Sequence, residues 1–244
     1  MRLIRYASGA REGRHTHEDG SITLILRGIV EEFVDEKHER GRPLSVVVKP
    51  PGVPHGNEYG AEGVLTFQIT LSPSRWNALV TAGQDPGPWR WIDDTDAAGA
   101  MLRLLRVASL QSGPHASTDD LLHETLAALP TTTLPHHKAA PAWLRHVREA
   151  LEVEPKTVAS LAAEVGVHPV HLAREFRKSF GQTPSQYRRS ARLRRTAVSL
   201  SDTRRTLAET SQLAGYADQA HMNREIRSTT GLTPRGLRNL ISSL

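Results

Sequence analysis

Two stretches decide the reading. The first is His171-Leu172-Ala173-Arg174-Glu175-Phe176-Arg177-Lys178-Ser179-Phe180-Gly181-Gln182-Thr183-Pro184. Fifty residues later comes His221-Met222-Asn223-Arg224-Glu225-Ile226-Arg227-Ser228-Thr229-Thr230-Gly231-Leu232-Thr233-Pro234. At that single offset His171 meets His221, Arg174 meets Arg224, Glu175 meets Glu225, Arg177 meets Arg227, and Gly-x-Thr-Pro meets Gly-x-Thr-Pro. Upstream the offset becomes 49, pairing Gly166 with Gly215 and Val165 with Ala214, so the second copy has one more residue in its turn. A run of identities sharing one offset is the mark of an internal repeat.

Both copies share a physical grammar. A short helix, Val158 to Val165 or Leu207 to Ala214, ends at a glycine, where the left-handed conformation is cheap. A short turn leads to a second helix. In copy one this helix spans Pro169 to Phe180, with proline in the first turn, where its missing N–H is no loss. Leu172, Phe176 and Phe180 share one face; in copy two Met222 and Ile226 do. This is a helix-turn-helix, whose second helix lies in the DNA major groove. Its outward set holds Arg, Gln and Asn, the side chains that read base edges in pairs of hydrogen bonds. Between the copies Ser185 to Leu200 reads as one long helix. Arg188, Arg189, Arg192, Arg194 and Arg195 lie on it and are candidates for phosphate contacts. Such a rod would hold two recognition helices apart, and a spacing near one DNA turn, about 34 Å, would let both enter successive major grooves.

Charge agrees. Among 244 residues, 31 Lys+Arg oppose 26 Asp+Glu. Residues 1–140 carry 14 basic and 17 acidic side chains, whereas residues 141–244 carry 17 and 9. A basic half built for a polyanion joined to a mildly acidic half suggests two domains. With no cysteine, disulfides, thiolate nucleophiles and thiolate metal sites are excluded. No apolar run approaches the roughly 18 residues of a spanning helix. The start, Met1-Arg2-Leu3-Ile4-Arg5-Tyr6, lacks a signal peptide's apolar core. A cytoplasmic protein with no membrane partner is expected.

The carrying residues are Leu161-Ala162…Gly166, His171 to Lys178…Gly181, and Gly215-Tyr216-Ala217-Asp218-Gln219…Arg224…Gly231-Leu232-Thr233-Pro234…Leu237-Arg238. With these, residues 141–240 resemble the DNA-binding domain of AraC/XylS transcription regulators. The resemblance implies seven helices, two helix-turn-helix units and a central connecting helix. It implies base contacts from Val170, Ala173 and Arg174, and from Gln219, Ala220, His221 and Arg224. The expected phosphate contacts are Arg177, Lys178, Arg188, Arg189, Arg194 and Arg227. Thr210-Ser211 stands where the family has Ile-Ala, and Met222 and Ile226 replace the usual aromatics, which implies looser packing of the second unit.

The acidic half reads differently. Ile22–Leu26, Val46–Val48 and Val64–Ile69 are short β-rich runs separated by turn formers such as Pro50-Pro51-Gly52-Val53-Pro54. Gly9 followed after five residues by His15-Thr16-His17, and Pro50-x-Gly52-x-x-His55, resemble the two cupin motifs. That resemblance implies three histidines converging on a divalent metal, a ligand set imidazole chemistry suits. The motif's glutamate is missing, with Ser21 or Ile22 in its place, and its asparagine position is Tyr59. Glu18, Asn57 and Glu58 are the available substitutes. His15, His17 and His55 thus mark either a metal site or an effector pocket. Ala97–Leu110 and Asp119–Leu129 read as amphipathic helices, the second capped by Ser117 or Thr118. Their stripes, with Leu104 and Leu121, serve either the first domain's core or a dimer contact.

The expected fold is therefore α+β, an N-terminal cupin-like β-barrel plus a C-terminal all-α double helix-turn-helix domain. The expected divisions are 1–95 for effector sensing, 96–130 for helical dimerisation or packing, 131–140 for a linker and 141–244 for DNA binding. The expected function is a non-enzymatic, sequence-specific transcription regulator tuned by a small-molecule effector. Its partners would be promoter DNA, a second copy of the chain and, for an activator, RNA polymerase. The rival is a metal-dependent cupin enzyme or metal sensor with a DNA-binding domain.

Overall fold

The computed structural model describes residues 1–109, 118–130, 140–153 and 156–242. Its first part holds β1 (Arg2–Tyr6), β2 (Arg11–His15), β3 (Gly20–Arg27), β4 (Val30–Val34), β5 (Lys37–Gly41), β6 (Val46–Lys49), β7 (His55–Tyr59), β8 (Val64–Leu71) and β9 (Arg90–Ile92). A short helix, α1 (Pro73–Thr81), interrupts them, with Ser72 as its N-cap and Pro73 in its first turn. Two antiparallel sheets, in the orders β1-β8-β3-β6-β9 and β2-β7-β4-β5, face each other as an open, barrel-like sandwich.

The register assigns each face of the larger sheet. Ile22 lies opposite Val48 and Ile69, and Leu24 opposite Val46 and Phe67. These residues turn outward and join the main apolar cluster with the helices. Ser21, Thr23, Ile25, Lys49 and Thr66 occupy the alternate positions, which face the smaller sheet. From the smaller sheet Val30, Glu32, Asn57 and Tyr59 face back. A strand covered on both sides reads as a continuous apolar run, which is why β3 was legible. Partly polar strands such as β2 (Arg-Glu-Gly-Arg-His) and β5 (Lys-His-Glu-Arg-Gly) carry no such signal.

The helical part comprises α2 (Thr95–Ser109), α3 (Thr118–Ala128), α4 (Ala142–Val153), α5 (Val158–Glu164), α6 (Pro169–Phe180), α7 (Pro184–Ser201), α8 (Leu207–Ala214), α9 (Gln219–Thr230) and α10 (Pro234–Ser242). Caps set these boundaries. Thr183 with Gln186 and Thr206 with Glu209 form reciprocal capping boxes. His168 and Asp218 cap α6 and α9. The expected cap Ser117, and 131–139 of the expected linker, lie outside the described residues.

The apolar stripes of α2 and α3 are covered within the chain. Met101, Leu104 and Leu105 are at most 2% exposed, and Leu121, Leu122 and Leu126 at most 9%. They belong to a cluster that runs from the larger sheet through α2 and α3 into Leu193, Ala197, Ala214, Met222, Ile226 and Leu237. A second cluster, built on Leu144, Val147, Leu161, Leu172, Phe176 and Tyr187, serves α4, α5 and α6 alone with the start of α7. The two repeats therefore differ in setting: the first has its own core, while the second shares the core of the N-terminal half.

Candidate nucleic-acid interface and sensor site

Both repeats fold as helix-turn-helix units. Gly166 and Gly215 take φ of 72° and 82° at the turn, a region an L-residue enters only with strain. Two residues, Val167 and His168, separate Gly166 from α6, while Tyr216, Ala217 and Asp218 separate Gly215 from α9. The extra residue inferred from the change of offset lies there.

Each recognition helix buries one stripe, Leu172, Phe176 and Phe180 in α6 and Met222 and Ile226 in α9. The opposite stripes are Val170, Ala173, Arg174 and Arg177 in α6, and Ala220, Asn223, Arg224 and Arg227 in α9. These positions follow i, i+3, i+4 and i+7 spacing and keep the fifty-residue offset throughout. Val170 is 69% exposed, and Ala220, Asn223, Arg224 and Arg227 are all exposed. Gln219 is exposed beside them in the first turn of α9. Lys178, next to Arg177, is exposed too. Arg174 stands out from its helix, with Glu175 and His171 Nδ1 each 3.3 Å from its guanidinium.

His221 lies beside the outward stripe with its side chain 35% exposed, 3.5 Å from Glu225 and edge-on to Tyr216 at 5.3 Å. One expectation needs correction. The rod arginines do not form a phosphate-facing row, because α7 is the central helix and most of its surface is covered. Arg194 is 6% exposed and pairs with Glu152 at 2.6 Å, so it is no phosphate contact. Arg189 donates to Thr229 Oγ1 at 2.7 Å, Arg188 to the Lys156 carbonyl at 3.3 Å, and Arg195 to the Glu152 and Ala214 carbonyls. Arg192 pairs with Glu225 at 2.9 Å. These guanidiniums staple the helices together. Arg177, Lys178 and Arg227 remain as exposed cations on the recognition helices.

The unusual residues of the second unit are packed and satisfied. Thr210 and Ser211 are at most 2% exposed, with Thr210 Oγ1 at 3.2 Å from Ser199 Oγ and Ser211 donating to the Ala208 carbonyl at 2.7 Å. Met222 and Ile226 are fully buried.

In the sandwich, the three histidines do converge. One ring nitrogen from each of His15, His17 and His55 lies within 4.8 Å of the others. His15 and His17 bring Nε2 atoms to 3.1 Å, and two zinc ligands at tetrahedral positions sit about 3.3 Å apart. His15 Nδ1 and His55 Nδ1 lie 2.8 and 2.9 Å from the carbonyls of Gly13 and Val53, the outer partnering that orients metal-binding imidazoles. Burial, with the Lys49 charge, holds the His55 pKa down at about 4, and burial with His15 lowers His17. Glu58 is no fourth ligand, since it points off the opposite face of β7 and pairs with Arg11 at 3.6 Å. Asn57 donates instead to Glu12.

The space between the sheets also holds polar groups that sequence reading missed. Glu32, fully buried, takes Lys49 at 2.5 Å and Trp89 Nε1 at 2.9 Å. At the rim, Glu12 of edge strand β2 is exposed to solvent and accepts from Tyr59 Oη at 2.6 Å and from Asn57 at 3.2 Å. The Thr66 hydroxyl is 2% exposed with no partner among the described residues. Only period-two alternation across β4, β6 and β7 could have signalled these groups.

Comparison with known proteins agrees with both halves. An AraC-like ligand binding domain matches residues 2–129, and a helix-turn-helix domain matches residues 161–240. The chain belongs to the AraC-like family. This AraC-type DNA-binding regulator thus joins a ligand-binding N-terminal domain to a double helix-turn-helix. One similar protein, the uncharacterized HTH-type transcriptional regulator YobQ of Bacillus subtilis (strain 168), is 27% identical over 236 residues, covering 94% of this chain and 90% of the relative. Among solved structures, ToxT of Vibrio cholerae covers 98% of this chain and 97% of its own at 11% identity and a TM-score of 0.40. A regulator from Chromobacterium violaceum with an AraC-type DNA-binding domain covers 43% of this chain and 97% of its own at 25% identity and a TM-score of 0.39. No helix among the described residues of this AraC-type chain is long and apolar enough to cross a membrane.

Proposed function

We propose that this regulator, rather than acting as an enzyme, reads promoter DNA with α6 and α9 and answers to a small polar effector held between its two sheets. The observation that carries the reading is the pair of outward stripes in register on two recognition helices. In the second unit Arg224 would read guanine, and Gln219 and Asn223 adenine, by paired hydrogen bonds, with Ala220 against a thymine methyl. In the first, Arg174 would read guanine while Val170 and Ala173 meet methyl groups. Arg177, Lys178 and Arg227 would hold phosphates and set the register. Selection of duplexes from a randomised pool by the purified protein tests this: enrichment of one bipartite sequence is expected. Equal competition by unrelated DNA at matched salt would refute it.

The effector reading rests on Glu32, Lys49, Glu12, Asn57, Tyr59 and the unpartnered Thr66, a polar set where a sandwich would otherwise be apolar. Effector and operator affinities would be linked through one coupling free energy. Thermal-shift screening of small polar metabolites, repeated on Thr66→Val, tests it.

A second reading is supported by the histidine geometry: His15, His17 and His55 would hold a divalent cation such as zinc or nickel and leave a fourth position for water or an effector atom. The cation would supply Lewis acidity there. Protein purified in metal-supplemented buffer would retain about one ion per chain by a three-imidazole site, and each His→Ala change would abolish it. We further assign a homodimer, RNA polymerase contact when activating, and work in the cytoplasm. The dimer would use a surface other than the Leu104 and Leu121 stripe, and sedimentation across micromolar concentrations tests it.

A further inference from the structure

One glycine sits without local reason inside a helix. Gly99 is in the interior of α2, where glycine disfavours helix relative to alanine. The reason is tertiary: a Cβ there would lie 2.2 Å from the carbonyl oxygen of Thr229, at the end of recognition helix α9. One turn on, Arg103 Nη1 donates to that same carbonyl at 2.8 Å, while its Nη2 and Nε hold Glu124 of α3 at 2.5 and 2.8 Å. Arg106 then donates to the Gly231 carbonyl at 3.3 Å. These cations meet the negative end of the α9 dipole, the favourable sign. At the other end of α2, the Asp93 carbonyl just before it accepts from Gln182 at 3.2 Å. Gln182 immediately follows Gly181, which caps α6 as Gly231 caps α9. The N-terminal half thus touches the corresponding corner of both repeats, at α9 through α2 itself and after α6 through Asp93, two residues before α2. The unequal cores reinforce this, since α9 shares its apolar cluster with α2 whereas α6 does not.

We propose that α2 is a strut: Gly99, Arg103 and Arg106 are positioning residues that fix recognition helix α9 relative to α6, and so set the operator spacing the protein accepts. The inference rests on the reading that α6 and α9 both contact DNA. It assigns the sensor half a part in DNA recognition without a DNA contact. It also makes α9 the reading helix through which effector state is passed, because any rearrangement of the larger sheet or α3 reaches Thr229 through α2 and the Glu124–Arg103 pair.

The test uses the full-length chain and a duplex selected from a randomised pool by the wild-type protein, together with the same duplex carrying one base pair added or removed between its two recognised segments. Wild type is expected to favour the parental spacing by about tenfold or more, comparable with losing one correct base step. Gly99→Ala displaces the end of α9, so its preference is expected to shift to an altered spacing or fall below about threefold on the same scale. Arg103→Lys with Arg106→Ala, which leaves the α2 backbone contact intact, covers a failure of Gly99→Ala to fold; it should move the ratio the same way. Restoring glycine in an otherwise identical preparation should restore the ratio. A variant that folds and binds more weakly at all spacings, with the ratio unchanged, would reduce these residues to stabilising contacts and overturn the strut. A wild-type protein with no sequence preference would overturn the recognition-helix reading itself, and the strut with it.

Discussion

Glu152, at the end of α4, is the acceptor on which two halves of the molecule meet, and its removal gives a calculable result. Its carboxylate takes Arg194 Nη2 at 2.6 Å, Tyr187 Oη at 2.5 Å and, across from the sandwich, Arg42 Nη1 at 3.0 Å. The Arg194 side chain is 7% exposed, whereas that of Arg42 is 35% exposed. Glu152→Ala therefore takes the hydrogen-bonding carboxylate from a nearly enclosed guanidinium and leaves Asp93 as its nearby countercharge; in the intact protein burial lowers the Arg194 pKa and the Asp93 and Glu152 carboxylates outweigh it. Removing one partner of a buried pair costs about 3–5 kcal/mol, while replacing both with apolar groups is often neutral or stabilising. The Arg42 contact, more open to solvent than that of Arg194, adds about 0–1 kcal/mol. In Glu152→Ala/Arg194→Met the enclosed charge is gone and only the Tyr187 hydroxyl lacks its acceptor, a loss of about 1 kcal/mol. Urea unfolding followed by far-UV circular dichroism measures this, with stability taken from midpoint and slope. Arg204→Ala is the control, since its exposed pair with Asp202 should leave the unfolding midpoint essentially unchanged. A single-variant loss below about 1 kcal/mol, or a double variant no more stable than the single, would show that Arg194 is not an enclosed charge held by Glu152.

Other substitutions separate roles that the linear sequence runs together. Arg224→Ala should cost about 1–3 kcal/mol on the selected duplex and relax preference at one base step, whereas Arg227→Ala should weaken all duplexes alike and lower the salt slope by about 1, both read by titration at several salt concentrations. Leu104→Ala, at a fully buried site, should lower stability by about 2–5 kcal/mol through the cavity it leaves; dissociation of an assembly with stability unchanged would instead place Leu104 between subunits. Thr206→Ala removes the hydroxyl half of the α8 capping box and leaves the backbone N–H of residue 206 on the Glu209 carboxylate; it should cost about 0.5–2 kcal/mol by denaturation, with Glu209→Ala adding a further loss in the double variant.

The repeat was legible because it is local. A fifty-residue offset fixes two turns, two glycines of positive φ and two faces of a helix, and each depends on residues a few positions apart. The caps at Thr183 and Thr206 and the buried pairs Leu172–Phe176 and Met222–Ile226 follow from the same short-range rules. The three histidines were legible too, because their glycine and proline frame dictates a turn. The polar interior of the sandwich was not: whether Glu32 faces water or Lys49 depends on which strand lies across the gap, and a β-strand reads the same from either face.

What the sequence determined alone is thus the kind of protein: two unlike halves, two helix-turn-helix units and the side chains they turn outward. What only the tertiary structure decided is which charges are free to work. Arg194, Arg192 and Arg227 are equal in a sequence, yet Glu152 and Glu225 engage the first two and leave the third in solvent. Likewise, only packing shows that Gly99 yields its side chain to the Thr229 carbonyl. Such choices arise from contacts between residues 33 to 130 positions apart, where the free energy of a charge or a methyl group depends on what chain folding brings against it.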